Sequence, residues 1–238
     1  MKYILFILVF VSISFSKEIS VGVGLSLAPY IFPKNNSGIE LDILKKALNQ
    51  EGKYTLDVKY LPLVRIPYAL KNKKIDAATT INEDSGIKNI YYSNTHIVYQ
   101  NVIVTLKSKH LSIKKIEDLK GLKVVSFQNA ANYLGEKYKS TIQKIKHYQE
   151  LADQELQVKL LFAHRVDAIV LDINIFKYMK KHIKGIDTNQ EVSVAQVFDK
   201  TYYKIAFIDK KIRDDFNKGL EIIRQNGQYD NILNKYIK

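Results

Sequence analysis

The sequence predicts an α/β fold made of two similar lobes with a cleft between them. Strand-like segments with two-residue alternation take turns with segments of helical periodicity along most of the chain. A compact helix-to-strand phrase occurs twice, as Lys74-Ile75-Asp76-Ala77-Ala78 and as Arg165-Val166-Asp167-Ala168-Ile169. Two apolar strands, Ile97 to Leu106 and Tyr203 to Ile208, fall where the chain would leave one half and return to it. Paired α/β units of this kind leave a natural place for a small molecule between them.

The first residues stand apart from the fold. Lys2 gives a positive start, Ile4 to Phe15 is an apolar run too short to span a bilayer comfortably, and Ser14-Phe15-Ser16 puts small residues where a signal peptidase reads. Residues 1–16 therefore read as a secretory signal, with Lys17 opening the mature chain; a retained anchor is the alternative. Ile19 to Leu25 alternates as the first strand, and Leu27-Ala28-Pro29-Tyr30-Ile31-Phe32-Pro33 is an aromatic loop kept irregular by its prolines. Gly38 opens a helix with Leu41, Leu44 and Leu48 on one face, and Gly52 ends it. Tyr54 to Leu61 is a strand, and Val64 to Asn72 is a short helix with Pro67 near its start. The first copy of the phrase leads into Thr79, Thr80 and Ile81. Ile90 to Ser93 and Ile97 to Leu106 are then strands, the second long enough to cross between lobes.

In the second half, Ile116 to Lys120 is a short helix, Leu122 to Phe127 a buried strand, and Gln128 to Ala131 a turn opening another helix. Ile142 to Tyr148 is expected as a strand and Glu150 to His164 as a helix with Leu156, Leu160 and Ala163 on one face. The second copy of the phrase gives the strand Ala168 to Leu171, closed by Asp172. Phe216, Leu220 and Ile223 form one apolar stripe stopped by Asn226-Gly227, and Tyr229, Ile232, Leu233 and Tyr236 form another. The division that results is 17–106 with 204–238 for the first lobe and 107–203 for the second.

Composition narrows the function. The chain has 238 residues, of which 46% are hydrophobic, enough for one large domain or two small lobes. The absence of cysteine removes disulfides and thiol catalysis. A net charge of +13 is spread over the whole length rather than gathered into an aromatic-interleaved basic motif, so nucleic acid is not an expected partner. The five histidines, His96, His110, His147, His164 and His182, lack metal-ligand spacing and read as isolated surface or half-buried residues. Gly22-Val23-Gly24 lacks the third glycine of a dinucleotide loop, and neither a phosphate loop nor a nucleophile elbow is present, so no cofactor is expected.

Five stretches in order resemble the solute-binding protein family three, the periplasmic receptors of ABC importers for polar amino acids and related solutes. They are Ala28-Pro29-Tyr30 before the Gly38 helix, Lys73 to Ala77, Ile116 to Val124, Arg165 to Asp172, and Phe216 to Leu220 with Asn226 to Tyr229. The resemblance covers essentially the whole mature chain. It implies the two-lobed type II periplasmic binding protein fold, with two crossing strands at a hinge. It further implies a monomer in the periplasm that closes on one small solute and docks on a membrane permease.

The same resemblance nominates site residues. Asp172, at the C-terminal end of its strand, matches the acid that receives a ligand ammonium group; it also fits a helix N-cap. Tyr30 and Phe32 match an aromatic wall, with core packing as the other reading. Thr79 and Thr80 lie on a strand end that offers hydroxyls, and Arg65 precedes a helix where it is a candidate for an anionic group. Two departures stand out. Amino-acid receptors of the family carry an arginine that clamps the ligand carboxylate, whereas Asn82 to Lys88 holds none, leaving Lys88 as the candidate substitute. The Gly-Thr-Thr-like turn is replaced by Gln128-Asn129-Ala130-Ala131, where Asn129 and Ala130 retain backbone N–H groups for an anion. An amine-bearing or otherwise unusual polar solute is expected. The alternatives are an exported cyclohexadienyl-dehydratase-like enzyme using Asp172 or Glu83 as acid, and a ligand sensor acting with a membrane kinase.

Overall fold

Each copy of the repeated phrase turns a helix into a strand and fastens that strand to its neighbour. The computed structural model describes residues 16–25 and 27–237, so the expected signal segment, 1–16, lies outside the described residues except for Ser16. The first half contains β1 (Lys17–Val23), α1 (Ile39–Leu48), β2 (Tyr54–Tyr60), α2 (Ile66–Lys71), β3 (Ala77–Ile81) and β4 (Tyr91–Tyr92). β5 (Ile97–Leu106) leads into β6 (Lys123–Phe127), α3 (Ala130–Tyr133), α4 (Glu136–Ile142), β7 (His147–Leu151), α5 (Gln154–Phe162), β8 (Ala168–Asp172), α6 (Ile173–His182) and β9 (Val192–Ala195). β10 (Lys200–Phe207), α7 (Lys210–Gln225) and α8 (Gln228–Ile237) complete the chain.

The strands run in the order β2-β1-β3-β10-β5-β8-β6-β7, with β4 beside β10 and β9 beside β5. β1 is parallel to β2 and β3, and β6 is parallel to β7 and β8, so each half has the parallel centre that strand–helix–strand crossovers generate. β5 and β10 are antiparallel and belong to both halves. Lys200 to Tyr203 pair with Gln100 to Ile97, while the far end of β10 pairs with β3 and Asn101 to Thr105 of β5 pair with β8. These are the two crossing strands.

Close packing decides two glycines. Gly38 caps α1 at φ 122°, where a Cβ would stand 2.3 Å from the Tyr30 carbonyl oxygen. Gly219 of α7 presses its backbone on α1, and a Cβ there would come within 1.9 Å of the Ala47 carbonyl oxygen. The expected stripe on α7 is real, with Phe216, Leu220 and Ile223 all buried.

Two expectations in the second half are corrected. The segment expected as a strand from Ile142 begins as the end of α4, and the strand itself is His147–Leu151, which takes in Glu150. α5 starts at Gln154, capped by the Asp153 side chain, and it buries Gln157, Val158, Leu161 and Phe162. Leu156 and Ala163 are exposed instead. The buried Gln157 amide explains the error: it donates to the Val125 and Val170 carbonyls, so a polar residue marks the inner face.

Candidate functional site

Where the halves meet, hydrogen bonds and stacked rings run from α1 through the crossing strands to the end of β8. They start at Glu40, whose side chain has no exposed surface. Glu40 shares the inward stripe of α1 with Ile43, Leu44 and Ala47, all buried. Its carboxylate accepts from the Tyr99 hydroxyl at 2.6 Å and the Thr80 hydroxyl at 2.8 Å, and His96 Nε2 lies 3.2 Å away. Burial alone would raise the Glu40 carboxyl, but the bonds from His96, Tyr99 and Thr80 bring it below its ordinary value. His96 Nδ1 is 3.1 Å from the Tyr203 carbonyl oxygen. Both ring nitrogens thus have an oxygen partner.

Tyr99 stacks on Tyr30, with ring centroids 4.0 Å apart, and Tyr203 meets Tyr99 edge-on at 4.9 Å. The Tyr30 hydroxyl donates to Asp172 Oδ1 at 2.8 Å and accepts from the Asn174 side chain at 3.1 Å. Asp172 is 2% exposed. It caps α6 through the Asn174 and Ile175 N–H groups and also accepts from the Gln100 N–H at 2.9 Å. Burial pushes the Asp172 carboxyl up, opposed by these donors. The phenols of Tyr30 and Tyr99 lie well above their ordinary value, first from burial and then from the charges of Asp172 and Glu40.

The candidates therefore divide into separate places. Tyr30, Thr80 and Asp172 belong to this network, and Thr79, 1% exposed, has its hydroxyl 3.3 Å from that of Thr80. Thr80 adopts a left-handed backbone at φ 56°, uncommon for a β-branched residue, which aims its hydroxyl at Glu40. Phe32 packs edge-on to Tyr178 of α6 and stacks with Tyr236 of α8. Arg65 and Lys88 are exposed on connecting segments. The Asn129 and Ala131 N–H groups donate to the Glu150 carboxylate at 2.7 and 2.9 Å, so the chain supplies its own anion at that turn; Ala130 is fully buried beneath it.

His96 is the clearest correction: it is completely buried rather than superficial, because α1 brings an acid to it. Glu40 carried a readable signal, an acid on an apolar helical stripe. Tyr99 and Tyr203 carried only the strand alternation. A groove of about 520 Å³ between α1 and α8, bordered by Asp42, Lys46, Gln228 and Lys235, lies outside the network.

A model of the bacterial extracellular solute-binding proteins, family 3, matches residues 19–238. A probable histidine-binding protein of Campylobacter jejuni is 24% identical over 225 residues, covering 92% of this chain and 84% of that one. A probable amino-acid ABC transporter-binding protein of Haemophilus influenzae is 26% identical over 220 residues, covering 89% and 81%. Among solved structures, an ancestral cationic amino acid solute-binding protein superposes with a TM-score of 0.73 at 23% identity, covering 93% of this chain and 96% of that chain. The two-lobed α/β fold expected from the sequence is borne out.

Proposed function

The chain belongs to the bacterial extracellular solute-binding proteins of family 3, and we propose that it captures a small, polar, amine-bearing solute between its lobes for the permease of an ABC importer. The carrying observation is that two buried carboxylates, Glu40 and Asp172, share a tyrosine-lined seam and are met by hydroxyl, imidazole and backbone N–H partners. Such a seam favours a cation, through the field of the acids and through the tyrosine faces. The names of the two bacterial relatives, a probable histidine-binding protein and a probable amino-acid ABC transporter-binding protein, support a solute of that size and polarity.

A receptor of this kind needs its solute to touch both lobes, because a ligand held by one lobe has no differential affinity for the closed form. Tyr30, Phe32, Thr79 and Thr80 supply the first lobe's side and Asp172 the second's; Arg65 and Lys88 are exposed on connecting segments, and the turn of Asn129 and Ala130 is already taken by Glu150, so these four are left out of the proposed site. The lobes comprise 17–106 with 204–238 and 107–203, and the change from one to the other falls within β5 and β10. We further propose a periplasmic monomer released from a signal at residues 1–16, without cofactor and without turnover. Glu83 is a poor general acid: its bond from Lys204 holds the carboxyl low.

A thermal-shift experiment on residues 17–238 tests the reading with L-histidine, L-lysine, L-arginine, cadaverine and L-glutamate. A cationic solute at about a hundred times its Kd should raise Tm by roughly 5–10 °C. Asp172→Asn, which keeps a capping oxygen, should abolish that rise. A response confined to L-glutamate, or release of product from any of the solutes, would defeat the proposal.

A further inference from the structure

We infer that the Tyr30 hydroxyl competes with the solute for Asp172, so that Tyr30 sets the affinity of the amine site; the inference rests on the reading of Asp172 just given. Four donors are described around this carboxylate, and three of them are fixed by secondary structure. The Asn174 and Ile175 N–H groups belong to the first turn of α6, and the Gln100 N–H belongs to β5. None of these can leave without unwinding a helix or a strand. The fourth is the Tyr30 phenol, a side chain 142 residues away in sequence that reaches over from the loop before α1. Its ring is held by stacking on Tyr99 and its oxygen by the Asn174 side chain.

The phenol is thus the one exchangeable donor of the four. A neutral O–H on a carboxylate is replaced with gain by an N⁺–H, since the ammonium adds a full opposite charge that the phenol lacks. An ammonium group arriving at Oδ1 takes the position the hydroxyl holds, and the hydroxyl must turn away. While the hydroxyl is in place, it bridges the two lobes as the solute would, which lowers the apparent affinity of the solute by the fraction of molecules so bridged.

Tyr30→Phe keeps the ring and its stacking and removes only the competitor. Titration calorimetry with cadaverine and L-lysine should show binding about tenfold tighter than in the wild type, the effect of losing one modest hydrogen bond. Small-angle scattering of the variant without either amine should show a larger radius of gyration. Asn174→Ala, which unfixes the hydroxyl, should give a smaller gain of the same sign, and it serves should Tyr30→Phe fold poorly. Amine binding to the wild type with no gain in either variant overturns this inference alone. Failure of both amines to bind wild type and variants overturns the reading of Asp172 and this inference with it.

Discussion

The two copies of the repeated phrase make the same clasp with different side-chain partners. Asp76 donates its N–H to the Ser20 carbonyl of β1 at 2.8 Å and takes the Ser20 N–H on its carboxylate at 2.8 Å. Asp167 does the same to Lys123 of β6, at 2.9 Å each way. In the first half the remaining capacity is met by the Ser20 hydroxyl at 2.6 Å, whereas in the second it is met by the Lys109 ammonium at 3.1 Å. The strands that leave the clasps also end differently. β3 delivers Thr80 to a buried acid and β8 ends in an acid of its own. A shared backbone device therefore supports both lobes, while the chemistry that differs between them is confined to the strand ends.

The strand ends should respond most. Glu40→Ala leaves the Thr80 and Tyr99 hydroxyls and the His96 ring buried without their acceptor, and urea unfolding should record a loss of about 3–5 kcal/mol. Asp76→Ala and Asp167→Ala each remove a clasp and leave a backbone N–H unpaired, for about 1–3 kcal/mol each. Losses that differ by more than twofold between these two variants at low salt would end the claim that the clasps are equivalent.

Acid should separate them next. Asp167 is partly desolvated, yet the Lys123 N–H and the Lys109 ammonium hold its carboxyl below the ordinary value. Its folded value is depressed, so its stabilisation is complete above the unfolded value of about 3.9 and fades as pH falls through the lower folded value. Asp167→Asn should flatten that part of the acid limb of a stability–pH curve; Glu40, also depressed, keeps its own share of the limb in this variant. The smallest effect is that of salt. Raising sodium chloride to 0.5 M should reduce the stability difference between wild type and Asp167→Ala by about 0.2–1 kcal/mol. The corresponding difference for Asp76→Ala, whose partner is a hydroxyl, should not move.

Legibility followed the periodicity. β5 is legible to the residue because ten apolar-rich positions lie between clear turn residues, and α7 is legible in its stripe of Phe216, Leu220 and Ile223 and in its end before Asn226-Gly227, but not in its start at Lys210. β9 was not anticipated: Val192–Ala195 is too short and too mixed to stand out, and it forms only because β5 offers it an edge. Asp172 stands out in the sequence by its place at a strand end, and of its two readings the structure shows the helix N-cap in full. Glu40, His96, Tyr99 and Tyr203 come from separate stretches of sequence and acquire meaning only where α1 packs on the crossing strands. Long-range convergence of that sort leaves no local pattern to read.

β10 lies between β3 and β5, and α7 and α8 pack on α1, so the half of the molecule that begins the chain is completed by its last forty or so residues. During synthesis the early strands must wait, with one edge of β3 and one face of α1 open, until the terminus has left the ribosome. The first half thus cannot close its sheet or cover α1 before β10, α7 and α8 are in place.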